Sequence, residues 1–225
     1  MPQQNRHVNL ALPSALCARL PLAEQVMTKR RCAGLVSLTV CAYSMTVQAR
    51  PLVFLDFDEV IKLNPPGCLG GYDVLAPNPP PEIWGQLFHP PAVATLTIIL
   101  ERWNPHVIIT TSWLRFMLRD ALEHVFAKTG LEHITAALHE AWEAPQNAQE
   151  SRCGAIDRWL AAHHCGEPFV ILDDDRSGTG LRGSRHFRAG RVIMCAEDTG
   201  LTQGQLPAID RALTKRARTS RTPRA

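Results

Sequence analysis

The chain has 225 residues, 45% of them hydrophobic and 20% charged, which excludes a wholly disordered protein and fits one domain with some additional length. Its seven cysteines are odd in number with no Cys-x-x-Cys pair, and no apolar run reaches the roughly 20 residues of a membrane span, so a disulfide scaffold, a zinc ribbon and a membrane helix are poor readings. The formal charge of +3 comes from the tail: Arg211, Lys215, Arg216, Arg218, Arg221 and Arg224 follow Asp210 with no acid among them, and without these six the chain carries −3.

Residues 1–50 read as a poorly ordered extension. The stretch from Met27 through Lys29, Arg30 and Arg31 into an apolar run has the outline of a signal peptide, but it begins too far into the chain, and a reducing cytoplasm fits the cysteine usage better. Met45, just ahead of the first regular element, is an alternative start that would remove residues 1–44. The working domain is read as 51–213, and 214–225 as a basic disordered tail.

Pro51 to Leu55 is a short apolar run stopped by Asp56, the pattern of a buried strand. Residues 59–91, rich in Pro and Gly, predict a long loop with room for a small hairpin. Pro90-Pro91 opens a helix carrying Val93, Leu96, Ile99 and Leu100, and Pro105 closes it. His106 to Ile109 is a second strand ending in Thr110-Thr111-Ser112. Ser112 is the expected N-cap of a helix bearing Leu114, Leu118, Ala121, Leu122 and Val125, ended by Gly130. A short strand and a turn of helix are expected within 131–144, and a helix over 151–164. Phe169 to Leu172 is a third strand, stopped by Asp173-Asp174-Asp175, and Val192 to Met194 is a fourth. Thr202-x-x-Gln205 is a capping-box pattern for the last helix. Apolar strands alternating with amphipathic helices predict an α/β fold with a central parallel sheet, whose function gathers at the carboxyl ends of its strands.

Three of those ends carry chemistry: Asp56-x-Asp58, Thr110-Thr111-Ser112 and Asp173-Asp174-Asp175. Carboxylates converging on one rim repel each other, and a hard divalent cation such as Mg²⁺, bound through oxygen, compensates them. A carboxylate attacks phosphorus to form an aspartyl-phosphate, a second one beyond the strand end serves as general acid and base, and Arg152 is the candidate cation for the phosphoryl oxygens.

Val53-Phe54-Leu55-Asp56-Phe57-Asp58 resembles motif I of the haloacid dehalogenase (HAD) superfamily, Val107 through Thr111-Ser112 its motif II, and Val170 through Asp173-Asp174 its motif IV. Thr111-Ser112-Trp113-Leu114-Arg115, Arg152 with Ile156 and Trp159-Leu160, Phe169 to Asp175, and Gly200-Leu201-Thr202, taken in order, are similar to the HAD domain of Swiss Army Knife RNA repair proteins. The resemblance covers about 51–213. It implies a three-layer Rossmann-like domain with a minimal cap. It implies Asp56 as nucleophile, Asp58 as general acid and base, and Thr111 as phosphoryl ligand, with Thr110 or Ser112 open by one residue. The implied Mg²⁺ ligands are Asp56, the backbone carbonyl of Asp58 and Asp173, assisted by Asp174. Two positions depart from the family pattern: Glu59 stands where a small residue is usual, and Arg152 where motif III usually has Lys, which keeps the charge but changes its geometry.

Trp113 and Arg115 read as packing residues, and His163-His164-Cys165 lacks the second ligand pair of a zinc site. The reading is a Mg²⁺-dependent phosphohydrolase, with RNA ends as the suggested substrate. The alternatives are a small-molecule or nucleotide phosphatase and a catalytically weak HAD-like binding module. Retention of Asp58 argues against the last, since a pure binder needs no general acid.

Overall fold

The computed structural model describes residues 49–214. Five parallel strands, β1 (Leu52–Leu55), β2 (His106–Ile109), β3 (Leu138–Glu143), β4 (Phe169–Asp174) and β5 (Val192–Cys195), form one sheet in the order β3-β2-β1-β4-β5. The central β1 pairs with both neighbours in unbroken register, Leu55 opposite Ile109 on one side and Leu172 on the other. Every residue of β1 is buried, because a parallel sheet is covered on both faces.

The two covers differ in size. Val53, Leu55, Val107, Ile109, Val170 and Leu172 face a large layer that includes α2 (Pro90–Trp103), α3 (Arg119–Lys128), α4 (Glu132–Ala137) and α7 (Leu206–Thr214). Leu52, Phe54, Ile108, Phe169 and Ile171 face α5 (Arg152–His163) through Ile156 and Trp159. The period-two alternation of the strands thus aims one set of side chains at α5, the helix that begins with Arg152. This is the three-layer α/β fold expected from the strand and helix pattern.

Between β1 and α2 lie only short elements: a 3₁₀ turn at Asp73–Leu75 and the four-residue α1 (Ile83–Gln86). The hairpin allowed for in 59–91 does not form. Asp58 and Lys62 make a single bridge, and Pro77, Pro79, Pro80 and Pro81 remove the donors a further ladder would need. A short α6 (Arg185–Arg188) precedes β5.

The helix predicted from Ser112 is broken in two. Thr111 caps a 3₁₀ turn, Ser112–Arg115, by accepting a bond from the Trp113 N–H, and α3 begins only at Arg119. Leu118, expected on the buried face, is 82% exposed. Trp113 is the physical reason. Its ring meets Phe57 edge-on at 5.3 Å and stacks near Phe88, and that anchorage turns the chain away from a continuous helix. Thr202 and Gln205 form the expected capping box, which leads through a 3₁₀ turn into α7. Gly200 has φ +64° and lies so close to the loop after β1 that a Cβ would stand 2.6 Å from the Val60 carbonyl oxygen, which accepts the Leu201 N–H at 2.8 Å. The Gly-Leu-Thr segment therefore clamps the loop carrying Asp58. Of the expected extension over 1–50 and tail over 214–225, residues 1–48 and 215–225 lie outside the described residues, whereas Arg50 is bonded to the Asn104 and Pro105 carbonyls and Thr214 is the last residue of α7 rather than the first of the tail.

Candidate active site

Asp56 leaves β1 with its N–H bonded to the Leu172 carbonyl, so its side chain emerges beside the end of β4. Asp173 and Asp174 end that strand, and all three carboxylates are buried. One oxygen from each of the three lies within 4.8 Å of the others. The hydroxyl of Ser177 stands among them, 2.6 Å from Asp56 Oδ2, 3.1 Å from Asp173 Oδ1, and in contact with Asp174 Oδ2. A hydroxyl donates one hydrogen. It donates to at most one of the three oxygens at a time, and of these Asp173 Oδ1 also accepts the Asp174 N–H at 3.0 Å.

Arg152 closes the cluster from the α5 side. Ser151 caps that helix by accepting the Gly154 N–H, and Arg152 N donates to Thr179 Oγ1. The guanidinium is fully buried, with Nη2 3.3 Å from Asp56 Oδ1 and Nε 3.3 Å from Asp173 Oδ2. Its Nη1 and Nε have no hydrogen-bond acceptor, and Asp173 Oδ2 has no donor. Burial pushes Asp56 above the ordinary carboxylate range, against the pull of Arg152 and Ser177. Burial, and then the charge of Asp56, push Asp173 up to about 8.

Three carboxylates against one guanidinium leave a formal charge that a single divalent cation neutralises. Carboxyl oxygens converging on one hydroxyl are, once ionised, the donor set that a hard cation takes, so the residues fit Mg²⁺. Asp174 Oδ1 already accepts the N–H groups of Arg176 and Ser177, which leaves Oδ2 as the atom it would offer a cation.

Asp58 faces elsewhere. Oδ2 accepts the Trp113 indole N–H at 3.0 Å, and Oδ1 accepts Asn64 Nδ2 at 3.2 Å and lies 3.8 Å from Lys62 Nζ. Its side chain stands outside the three-carboxylate cluster, so only its backbone carbonyl is left for the ligand role the resemblance implies. With Glu59, Asn64, Asp174, Arg176 and Ser177 it lines an open cleft of about 360 Å³.

The hydroxyls at the end of β2 differ from one another. Thr110, bonded through its N–H to Leu55, has a buried Oγ1 with no partner, whereas Thr111 Oγ1 is engaged with Trp113 N. Thr110, like Asp56, follows a position of the large layer, and its free hydroxyl is the better candidate of the two for a phosphoryl oxygen. Ser112 begins the 3₁₀ turn and is half-buried.

Glu59 has φ +58°, the left-handed conformation that glycine adopts most cheaply, which is why a small residue is usual there. Its carboxylate is not aimed at the acids: Oε1 accepts the Asn64 N–H at 3.0 Å. Sequence reasoning missed Ser177, whose only signal is its place three residues after Asp174 in a turn, and it missed the buried Lys62. Trp113 packs as expected and also holds Asp58. Arg115 does not pack: it is exposed and lines a second open cleft with Ser151 and Thr179.

The parallel sheet and the acid-lined carboxyl edge of its central strands define an α/β domain of the HAD type. Residues 52–206, more than half of the chain, match the family described as the HAD domain in Swiss Army Knife RNA repair proteins, and the chain belongs to that family. No curated protein and no solved structure matches it. Membership implies phosphohydrolase-type chemistry in the setting of RNA repair.

Proposed function

We propose that this protein is a Mg²⁺-dependent phosphohydrolase that works through an aspartyl-phosphate on Asp56 and removes phosphates from the ends of RNA. The observation that carries the reading is the convergence of Asp56, Asp173 and Asp174 on one hydroxyl proton, beside a buried arginine with unpartnered N–H groups.

When bound, Mg²⁺ supplies the positive charge that lets an anionic phosphate approach Asp56. Asp173 and Asp174 would hold it together with Asp56. The unpartnered N–H groups of Arg152 and the unpartnered hydroxyl of Thr110 would bind the non-bridging oxygens. A carboxylate oxygen of Asp56 attacks phosphorus, the bond to the leaving alcohol oxygen breaks, and Asp58 gives that oxygen its proton. Asp58 then takes a proton from water, whose oxygen attacks phosphorus and frees phosphate and Asp56. Trp113 and Asn64 orient Asp58 for both transfers.

The connection between β1 and α2 holds only a 3₁₀ turn and the four-residue α1, with no cap domain, which suits an open cleft that admits a macromolecular end. Arg176 is exposed on its lining, Arg115 is exposed in the second cleft with Ser151 and Thr179, and the sequence adds the basic run after Asp210. The free thiols of Cys68, Cys153, Cys165 and Cys195 support a reducing, cytoplasmic setting, and among the described residues no helix is long and apolar enough to cross a membrane.

The test is phosphate release, with and without Mg²⁺, from oligonucleotides bearing a 3′- or 5′-phosphate, from mononucleotides and from sugar phosphates. Faster release from oligonucleotides, dependent on Mg²⁺ and Asp56, is expected. Equal rates on mononucleotides would move the assignment to a small-molecule phosphatase, and full activity in chelator would remove the metal.

A further inference from the structure

Tyr72 is 71% exposed, yet its ring is held: it stacks on Phe116 with centroids 3.8 Å apart and planes 22° from parallel. One face is covered and the other is open to solvent. The loop that carries it is pinned, since the Asp73 carboxylate accepts the Gly70 N–H at 2.6 Å. Gly71 lets that loop lie against Trp113, because a Cβ there would stand 2.6 Å from the indole and 3.0 Å from Phe116. The same indole holds Asp58 through its N–H. An aromatic ledge therefore runs from Asp58 through Trp113 and Phe116 to Tyr72, and it ends in a π face backed by Phe116 and exposed to solvent.

We propose that the open face of Tyr72 is a stacking shelf for the nucleobase of the nucleotide whose phosphate enters the site. The proposal rests on the reading of Asp56 and Asp58 as the reacting pair, and it adds a requirement for a base next to that phosphate. A fixed aromatic face takes any base, because every base has a π face, and prepaid orientation keeps the entropy cost of stacking low. The shelf favours a nucleotide end over a sugar phosphate without selecting a sequence. Among macromolecular partners, the neighbouring Arg115 suits a phosphodiester chain.

Two measurements test it. In the first, kcat/KM is compared for oligonucleotides whose phosphorylated terminal residue carries adenine or is abasic. The adenine-bearing end is expected to be preferred on the order of tenfold, the preference to vanish in Tyr72→Ala and to return in Tyr72→Trp. In the second, Asp56→Asn is titrated with a phosphorylated oligonucleotide ending in 2-aminopurine, where quenching on binding reports stacking without turnover. Quenching that is lost when Tyr72→Ala is added supports the shelf. Equal kcat/KM for the two ends, or a preference or quenching that survives Tyr72→Ala, overturns it while the phosphohydrolase reading stands. Tyr72-dependent quenching with no phosphate released from any oligonucleotide by the unaltered protein overturns the phosphohydrolase reading and keeps the shelf.

Discussion

Arg152 and Asp56, both buried, meet at 3.3 Å, and the contact engages only Nη2 of the guanidinium. Nε lies 3.3 Å from Asp173, so one cation touches the carboxyl ends of two adjacent strands. A lysine ammonium is a point charge and does not reproduce a fork with two acids on different nitrogens. The arginine in place of the usual motif III lysine is thus built into the acid pair while it keeps Nη1 free for a ligand.

Arg152→Ala should therefore cost more stability than a surface change. Removing one member of a buried charge cluster leaves the others uncompensated, at about 3 kcal/mol or more at pH 8. Arg152→Lys keeps the charge and should cost less than half as much, with phosphate release lowered by about tenfold. Denaturant midpoints of both variants check the stability order. Equal loss in the two would mean that charge at this position does not matter.

Asp56→Asn should abolish phosphate release, by at least about a thousandfold, since an amide is a poor nucleophile. The fold should survive and gain stability in chelator, because one of three crowded carboxylates becomes neutral where burial already disfavours its charge. Retained activity in this variant with Mg²⁺ bound would sink the covalent mechanism, and a lower thermal midpoint in chelator would sink the account of the acid cluster.

The Asp173 carboxyl, pushed up to about 8 by burial and by Asp56, sets a pH window. A folded-state value above that of the unfolded chain means a contribution to stability that is present below about pH 4 and lost as pH rises to about 8. Without metal the protein should lose stability across that window. Mg²⁺ needs the ionised carboxylate, so the rise in thermal midpoint on adding it should grow from pH 5 to pH 8.5. A metal-induced rise that is the same at both ends of the window would contradict this ordering.

Much of this site is legible in the sequence, for physical reasons that differ by residue. Asp56, Asp173 and Asp174 stand out because strands buried on both faces are continuous apolar runs, and an acid that stops such a run marks the sheet edge. The break at 116–118 is not legible: Leu114, Leu118 and Leu122 keep a helical period, and only the tertiary tie of Trp113 to Phe57 and Asp58 interrupts it. Ser177 is invisible for a similar cause. A serine in a turn is ordinary until folding brings β1 next to β4 and Asp56 against it.

Trp113→Phe should separate packing from chemistry. Phe keeps the edge contact with Phe57 and loses the donor to Asp58, so stability should fall by only about 1 kcal/mol. Turnover should fall by about tenfold or more, most for substrates with poor leaving alcohols, because a loosely held acid delivers its proton less well. An equal fall for good and poor leaving groups would place the effect on binding rather than on Asp58.

Glu59 tests whether the departure from the usual small residue carries a cost. In the left-handed region a residue with a Cβ loses about 1–2 kcal/mol that glycine does not. Glu59 recovers part of this through the bond from Asn64 N to Oε1, but its Oε2 is buried without a donor. Glu59→Gly relieves the strain and removes the orphaned oxygen, at the expense of one hydrogen bond and a more flexible unfolded chain. These terms nearly cancel, so its stability should lie within about 1 kcal/mol of the parent. Glu59→Val loses the same hydrogen bond and keeps the strain, with a branched side chain in the left-handed region, and should be destabilised by about 2 kcal/mol or more. Urea midpoints at constant m-value measure both. If valine and glycine proved equally stable, backbone conformation at this turn would not be what favours a small residue there, and the explanation would shift to the space beside Asp58.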